Sequence, residues 1–209
     1  MGKENPIEAN KKVLVLLGGL MLILIFILVY FSIPRNIEVK DIDVGINPPR
    51  GNLNSSLTII EFGDFKCPAC KASHPIIEEI LNKYDAVLYY RNFPLPMHGE
   101  ISFLSAEAAQ CANEQGKFWE YHDLLYDKQD FLSKDNLKLY ARQTGLNEQQ
   151  FDLCLDNEKY KGETLKDLGD AKKLGLKGTP TFFINGREVF GADKQEIERI
   201  IEEELRKIT

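Results

Sequence analysis

The sequence predicts an α/β domain behind a single N-terminal transmembrane helix. Three observations predict it. An uncharged, apolar run extends from Val13 to Ile33. A strand–helix–strand pattern occupies residues 57–92. A second pair of strands and a closing helix end the chain, with only helical patterns in between. The 209 residues suit one domain with an insertion. Hydrophobic residues at 44% and charged residues at 28% exclude a wholly disordered chain, a collagen-like chain and a polytopic membrane protein. The net charge of −6 does not favour nucleic acid as a partner.

The run from Val13 to Ile33 is apolar on every face. As a helix it would be about 31 Å long, close to the hydrocarbon thickness of a bilayer. A cleaved signal peptide would have a shorter apolar core of about 7–15 residues ending in small residues. Here the run ends Tyr30-Phe31-Ser32-Ile33-Pro34, which points to an uncleaved anchor. Lys11 and Lys12 abut it on the N-side, against the dispersed Arg35, Lys40 and Arg50 beyond. That bias predicts residues 1–12 as a cytoplasmic tail, 13–33 as the anchor and the rest outside the cytoplasm. Setting aside residues 1–33 removes Lys3, Lys11 and Lys12 against Glu4 and Glu8. The remainder is one charge more acidic than the whole.

Residues 34–56 read as a tether leading into the domain, with a turn at Asn47-Pro48-Pro49-Arg50-Gly51. Asn54-Ser55-Ser56 matches a glycosylation sequon. The domain proper is expected over 57–209. Leu57–Phe62 is short, apolar and β-branched, a buried strand. A helix to about Tyr84 follows, with Ile76, Ile77, Ile80 and Leu81 on one face, and Ala86–Asn92 is the next strand. This βαβ opening implies a parallel pair with a right-handed crossover. Residues 100–174 read as a helical insertion. It has helices at Ser102–Gln115, Phe118–Gln129 and Lys134–Thr144, and another from Asn147 to Asn157 capped by Asn147 with Gln150. Thr181–Ile184 and Arg187–Phe190 flank Asn185-Gly186, a strong hairpin signal. Asp193 with Glu196 caps the last helix.

Cys67-Pro68-Ala69-Cys70 falls where the first strand hands over to its helix. The free N–H groups and dipole of a helix start favour an anion, so a thiolate at Cys67 is stabilised. A thiolate attacks disulfides, and a second cysteine one turn inside can resolve the mixed disulfide. Pro68 suits the first helical turn, where its missing N–H costs nothing. A zinc site would need two more ligands at close spacing, and Cys111 and Cys154 do not provide them. Haem attachment needs His after the second cysteine, where Lys71 stands. No metal and no cofactor are expected.

Around this motif the sequence resembles the thioredoxin superfamily, and within it the DsbA-like thiol–disulfide oxidoreductases. The resemblance runs through Ile60-Glu61-Phe62-Gly63-Asp64-Phe65-Lys66-Cys67-Pro68-Ala69-Cys70, then Arg91-Asn92-Phe93-Pro94-Leu95, then Gly178-Thr179-Pro180-Thr181-Phe182. It covers about Leu57 to Ile208. It implies a thioredoxin-like fold with a helical insertion subdomain, preceded here by the transmembrane helix. It implies Cys67 and Cys70 as catalytic residues and Glu61 as a buried acid moving protons with Cys70. Pro75 takes the place of the family's proline in the active-site helix. Pro180 takes the place of its cis-proline, and the backbone of Thr179 is the strand that meets substrate. The family's strongly oxidising members often carry His in the second place between the cysteines. Ala69 removes that donor, so Cys67 would rely on the helix start and on Lys66, and the couple is expected to be less oxidising.

An exported domain meets an oxidising compartment, so Cys111 and Cys154 are expected to form a structural disulfide rather than stay simply buried. His74, His98 and His122 show no ligand spacing. His74 reads as a half-exposed helix residue and His98 as the start of the connection into the insertion. Phe118, Trp119, Tyr121 and His122 read as helix packing.

The function expected is a membrane-tethered thiol oxidase that forms disulfides in exported proteins. Its partners would be exported proteins with thiols or disulfides, a membrane redox partner for re-oxidation, and membrane lipid through the N-terminal helix. The tether would keep enzyme and re-oxidant close. A reductase or isomerase would use the same residues. A thiol-based metal-binding module, such as a copper-handling domain, is the alternative from another class.

Overall fold

The computed structural model describes residues 16–28 and 42–208. Residues 16–28 form helix α1, with exposed side chains along its length. Among the described residues no helix is long and apolar enough to cross a membrane. The rest of the expected anchor, and the tail at 1–12, lie outside the described residues. The chain divides into two compact units, Met1–Asn36 and Ile37–Thr209.

The second unit is built on a five-stranded sheet in the order β1-β3-β2-β4-β5. Its strands are β1 (Arg50–Gly51), β2 (Thr58–Gly63), β3 (Val87–Asn92), β4 (Thr181–Ile184) and β5 (Arg187–Phe190). β2 and β3 run parallel, joined through helix α2 (Pro68–Lys83), while β1 on β3, β4 on β2 and β5 on β4 are antiparallel. The short β1 covers the edge that β3 would otherwise expose. The expected hairpin turn is present: Asn185 and Gly186 both have positive φ, as a two-residue turn between twisted strands requires. Asn185 also accepts from Thr58 N at 2.8 Å, tying the turn to the start of β2.

Strand alternation divides the core. Ile59, Phe182 and Ile184 pack with Ile77 and Ile80 of α2 and with Ile197 and Ile201 of the closing helix α8 (Lys194–Ile208). Ile60, Phe62 and Phe183 face the other way, toward Leu168 and Ala171 of α7 (Lys161–Lys173). Residues 42–56, read as a tether, add to this unit: Ile42 and Asn47 are buried, and Asn47 Nδ2 donates to Tyr90 O at 2.7 Å.

The helical insertion carries α3 (Glu100–Asn113), α4 (Phe118–Asp127), α5 (Lys134–Gln143), α6 (Glu148–Asp156) and α7. Asn147 caps α6 by accepting from Gln150 N at 3.0 Å. The Cys111–Cys154 disulfide joins α3 to α6 within the insertion's own core. Helix α7 was not legible as a separate element. Its sequence is charged, and its grip on the sheet is partly ionic. The fully buried Arg91 of β3 donates to Asp167 at 2.8 Å, pairs with Asp170 at 2.9 Å, and reaches Asp43 O. A buried charge is tolerable when paired and hydrogen-bonded in this way.

Candidate active site

The end of β2 and the start of α2 set the geometry. Cys67 is the N-cap of α2, with extended backbone, no side-chain cap and Pro68 directly after it. Its sulfur therefore stands at the helix start, where the backbone N–H groups of Ala69 and Cys70 favour a thiolate. Cys67 and Cys70 are free thiols, 6% and 0% exposed. The Cys67 thiol is pulled down to about 5. The Cys70 thiol contributes most, against the opposing effect of burial, and Thr179 and the backbone N–H groups of Cys70 and Ala69 assist. Cys70 moves the other way, well above its usual value, because burial and the neighbouring Cys67 and Glu61 all disfavour a second charge. The pair is thus split into one ready nucleophile and one held thiol.

The structure brings several of the expected residues together here. Thr179–Pro180 is a cis peptide, and Thr179 O accepts from Cys67 Sγ at 3.3 Å. Thr179 Oγ1 is buried without a hydrogen-bond partner in this arrangement. Glu61 lies on β2, 3% exposed, on the sheet face that α2 covers. Burial, reinforced by the charge of Glu78, raises its carboxyl to about 8. A charge on Glu61 would further disfavour a thiolate at Cys70. Pro75 lies inside α2.

Lys66 does not join the site in the expected role. Its ammonium donates to Gln129 O at 3.2 Å, and it is not among the groups that lower Cys67. Sequence adjacency to Cys67 gave no information on side-chain direction, and the carbonyl at the edge of the insertion draws the ammonium away.

Two residues at the site were not found by sequence reasoning. Asp64, with a fully buried side chain, accepts from Lys66 N at 2.8 Å, Ser102 Oγ at 2.7 Å, Leu95 N at 2.9 Å and lies 2.7 Å from His98 Nδ1. Its own backbone touches both cysteines: Cys67 N donates to Asp64 O at 2.9 Å, and Asp64 N donates to Cys70 Sγ at 3.5 Å. His98 thereby gains a place beside the site. An acid immediately after an apolar strand was the available signal. Gln129, 3% exposed, donates to both Phe65 O and Cys67 O at 2.9 Å. No local pattern announces it. Small size is also required nearby, since a Cβ on Gly63 would sit 2.6 Å from the Tyr90 ring, whose hydroxyl meets that of Tyr126 at 2.9 Å.

One group among the described residues could hold a metal ion: His74, His122 and Asp123, whose ligand atoms lie within 4.8 Å of one another. The histidines are far apart in sequence, and α2 and α4 bring them together. His122 is buried among aromatic rings, and burial lowers it to about 4. Arg50 Nη1 is 3.1 Å from both Asp123 oxygens and 3.0 Å from Glu78. A guanidinium held on the carboxylate opposes a cation there.

Comparison with known proteins bears on this arrangement. A family model described as thioredoxin matches residues 45–203. Among solved structures, oxidised BdbD from Bacillus subtilis is 29% identical with a TM-score of 0.70, over 77% of this chain and 93% of that one. A thioredoxin-like oxidoreductase from Silicibacter pomeroyi is 27% identical with a TM-score of 0.66, over 77% of this chain and 92% of that one. Among curated proteins, the Na(+)/H(+) antiporter NhaA 3 of Salinispora tropica is 37% identical over 158 residues, which is 73% of this chain. The chain spans only 24% of that antiporter's length.

Proposed function

The chain belongs to the thioredoxin family, beside the DsbA-like thiol–disulfide oxidoreductases, and from that premise we propose that it is a membrane-tethered oxidase of exported proteins. The observation that carries this reading is the placement of Cys67 at the N-cap of α2, with Cys70 in the first turn and the cis Thr179–Pro180 peptide against the Cys67 sulfur.

The reaction begins from the Cys67–Cys70 disulfide. A substrate thiolate attacks Cys67 Sγ, and the bonding electron pair leaves with Cys70 sulfur. Cys70 takes up a proton, which its weakened acidity favours, with Glu61 as the nearby buried carboxyl. A second substrate thiolate then attacks the substrate sulfur of the mixed disulfide. Cys67 departs as a thiolate, the more stable of the two leaving groups. The substrate has lost two electrons and the pair has gained them. A membrane redox partner must remove them for another cycle. Thr179 would pair by its backbone with the extended substrate. Residues 13–33 would serve as the lipid anchor, with the domain outside the cytoplasm.

One observation favours the reductase direction as a second reading. Ala69 offers no side-chain donor to the thiolate, so the couple is less oxidising than one with such a donor. Trapping in cells tests the function itself. Cys70→Ser should accumulate mixed disulfides with exported proteins through Cys67, and Cys67→Ser should accumulate none. Absence of adducts, together with stoichiometric copper binding by the reduced protein, would replace the reading with a metal-binding module.

A further inference from the structure

The nucleophile's peptide is held from two directions. From below, Asp64 O accepts from Cys67 N at 2.9 Å. From the insertion, Gln129 Nε2 donates to Cys67 O and to Phe65 O, each at 2.9 Å. Gln129 lies in the 3-10 turn Gln129–Phe131 between α4 and α5, and it is buried. Its own carbonyl accepts from Lys66 Nζ at 3.2 Å. One residue of the insertion thus meets Phe65, Lys66 and Cys67 in succession. Cys67 O also accepts from Lys71 N at 3.2 Å, the first bond of α2. It is therefore the carbonyl that fixes how the helix starts.

How the helix starts decides which N–H groups meet the sulfur. Cys67 has no side-chain cap, and Ala69 supplies no donor of its own. The donors left are backbone groups of Ala69 and Cys70, the Cys70 thiol and Thr179. Backbone donors cannot adjust as a side chain can. Their aim is set by the rotation of the Cys67 peptide. We propose that Gln129 is a positioning residue for Cys67: by gripping the Phe65 and Cys67 carbonyls it holds the first turn of α2 so that its amides meet the Cys67 sulfur. The helical insertion then does more than cover the sheet end. It tunes the nucleophile, taking over part of what a side-chain donor at position 69 would do. This rests on the reading of Cys67 as the nucleophile of a thiol–disulfide oxidoreductase.

The test is thiolate absorbance of the reduced full-length protein against pH, with the glutathione equilibrium measured on the same samples. Gln129→Leu removes both donors and keeps the bulk. Its thiolate midpoint should rise from near 5 by about one unit, and the equilibrium should move up to about tenfold toward the disulfide form. Gln129→Glu keeps the shape but turns a donor into an acceptor facing two carbonyls. It should move the midpoint the same way, and it serves if the Leu variant does not fold. Lys71→Ala removes only the exposed bridge from α2 to Asp130 at 2.9 Å, beside Gln129, and should leave the midpoint unchanged. Thermal melting and an intact Cys111–Cys154 bridge establish that each variant is folded. A folded Gln129 variant with the wild-type midpoint and equilibrium would overturn the inference. Equal shifts in Lys71→Ala would overturn it too, by assigning the effect to general tethering. If wild type itself exchanges no disulfides, the functional reading fails instead, and the two failures are distinguishable.

Discussion

The two cysteine pairs are alike in burial and opposite in behaviour. Cys67 and Cys70 are 6% and 0% exposed, and Cys111 and Cys154 are 1% and 5% exposed. One pair stands as free thiols three positions apart in a loop-to-helix turn. The other is a disulfide across a separation of 43 residues, between two helices. Exposure therefore does not explain reactivity. The difference lies in what surrounds each sulfur. Cys67 meets a helix start, the Thr179 carbonyl and a partner thiol, whereas Cys111 and Cys154 sit inside helices and face one another. The helix start favours a thiolate at Cys67, whereas Cys111 and Cys154 are paired with one another across two helices.

The largest expected effect breaks the pairs apart by function. Cys67→Ser should abolish disulfide exchange in an insulin reduction assay and leave the fold intact. Replacing Cys111 and Cys154 together by Ala should do the reverse. Closing a loop of that length is worth about 4 kcal/mol by chain entropy, which urea unfolding should register, while the exchange rate of the folded protein stays within about twofold. Loss of exchange in that double variant would show that the staple supports the site as well.

A smaller effect concerns the acid beneath the reactive pair. The Glu61 carboxyl is raised to about 8 by burial, from an ordinary value near 4.5. Between those values the folded state holds a proton that the unfolded state has released. Stability at this group is thus full below about 4.5 and falls as pH rises toward 8. Glu61→Gln should remove that slope and raise stability at pH 7 by up to about 3 kcal/mol, measured by urea unfolding at pH 5 and pH 8. It should also slow resolution through Cys70. The smallest effect is local to the insertion. Asn147→Ala loses the cap on α6 and should cost about 1 kcal/mol, with no change at Cys67.

The same comparison explains what could be read from the chain. The reactive pair was legible because its elements are local. A strand, a CxxC at the turn and a helix follow one another, and Asn185-Gly186 marks the hairpin that closes the sheet. The site's supports were not legible, because they are distant in sequence. Gln129 reaches Cys67 from 62 residues away, and Asp64 gathers Leu95, His98 and Ser102 from a separate turn and helix. His74 and His122 meet only because α2 packs on α4. Lys66 Nζ lies on Gln129 O, because neighbours in sequence need not point the same way. Helix α7 was hidden for a different reason. Its sheet-facing residues include Asp167, which pairs with Arg91, so no apolar stripe announces it. Residues 42–56 were hidden by their turn-forming composition, although Asn47 and Arg50 each bind across long separations.

The opposed acidity of the two active-site cysteines can be read from the pH dependence of their alkylation. In reduced protein, the rate of Cys67 alkylation should rise with pH, reach half its plateau near pH 5 and stay level through neutrality, while Cys70 stays unmodified. A rate that keeps rising to the ordinary thiol range, about 8.5, or equal modification of both cysteines, would show that the two thiols are not split in acidity.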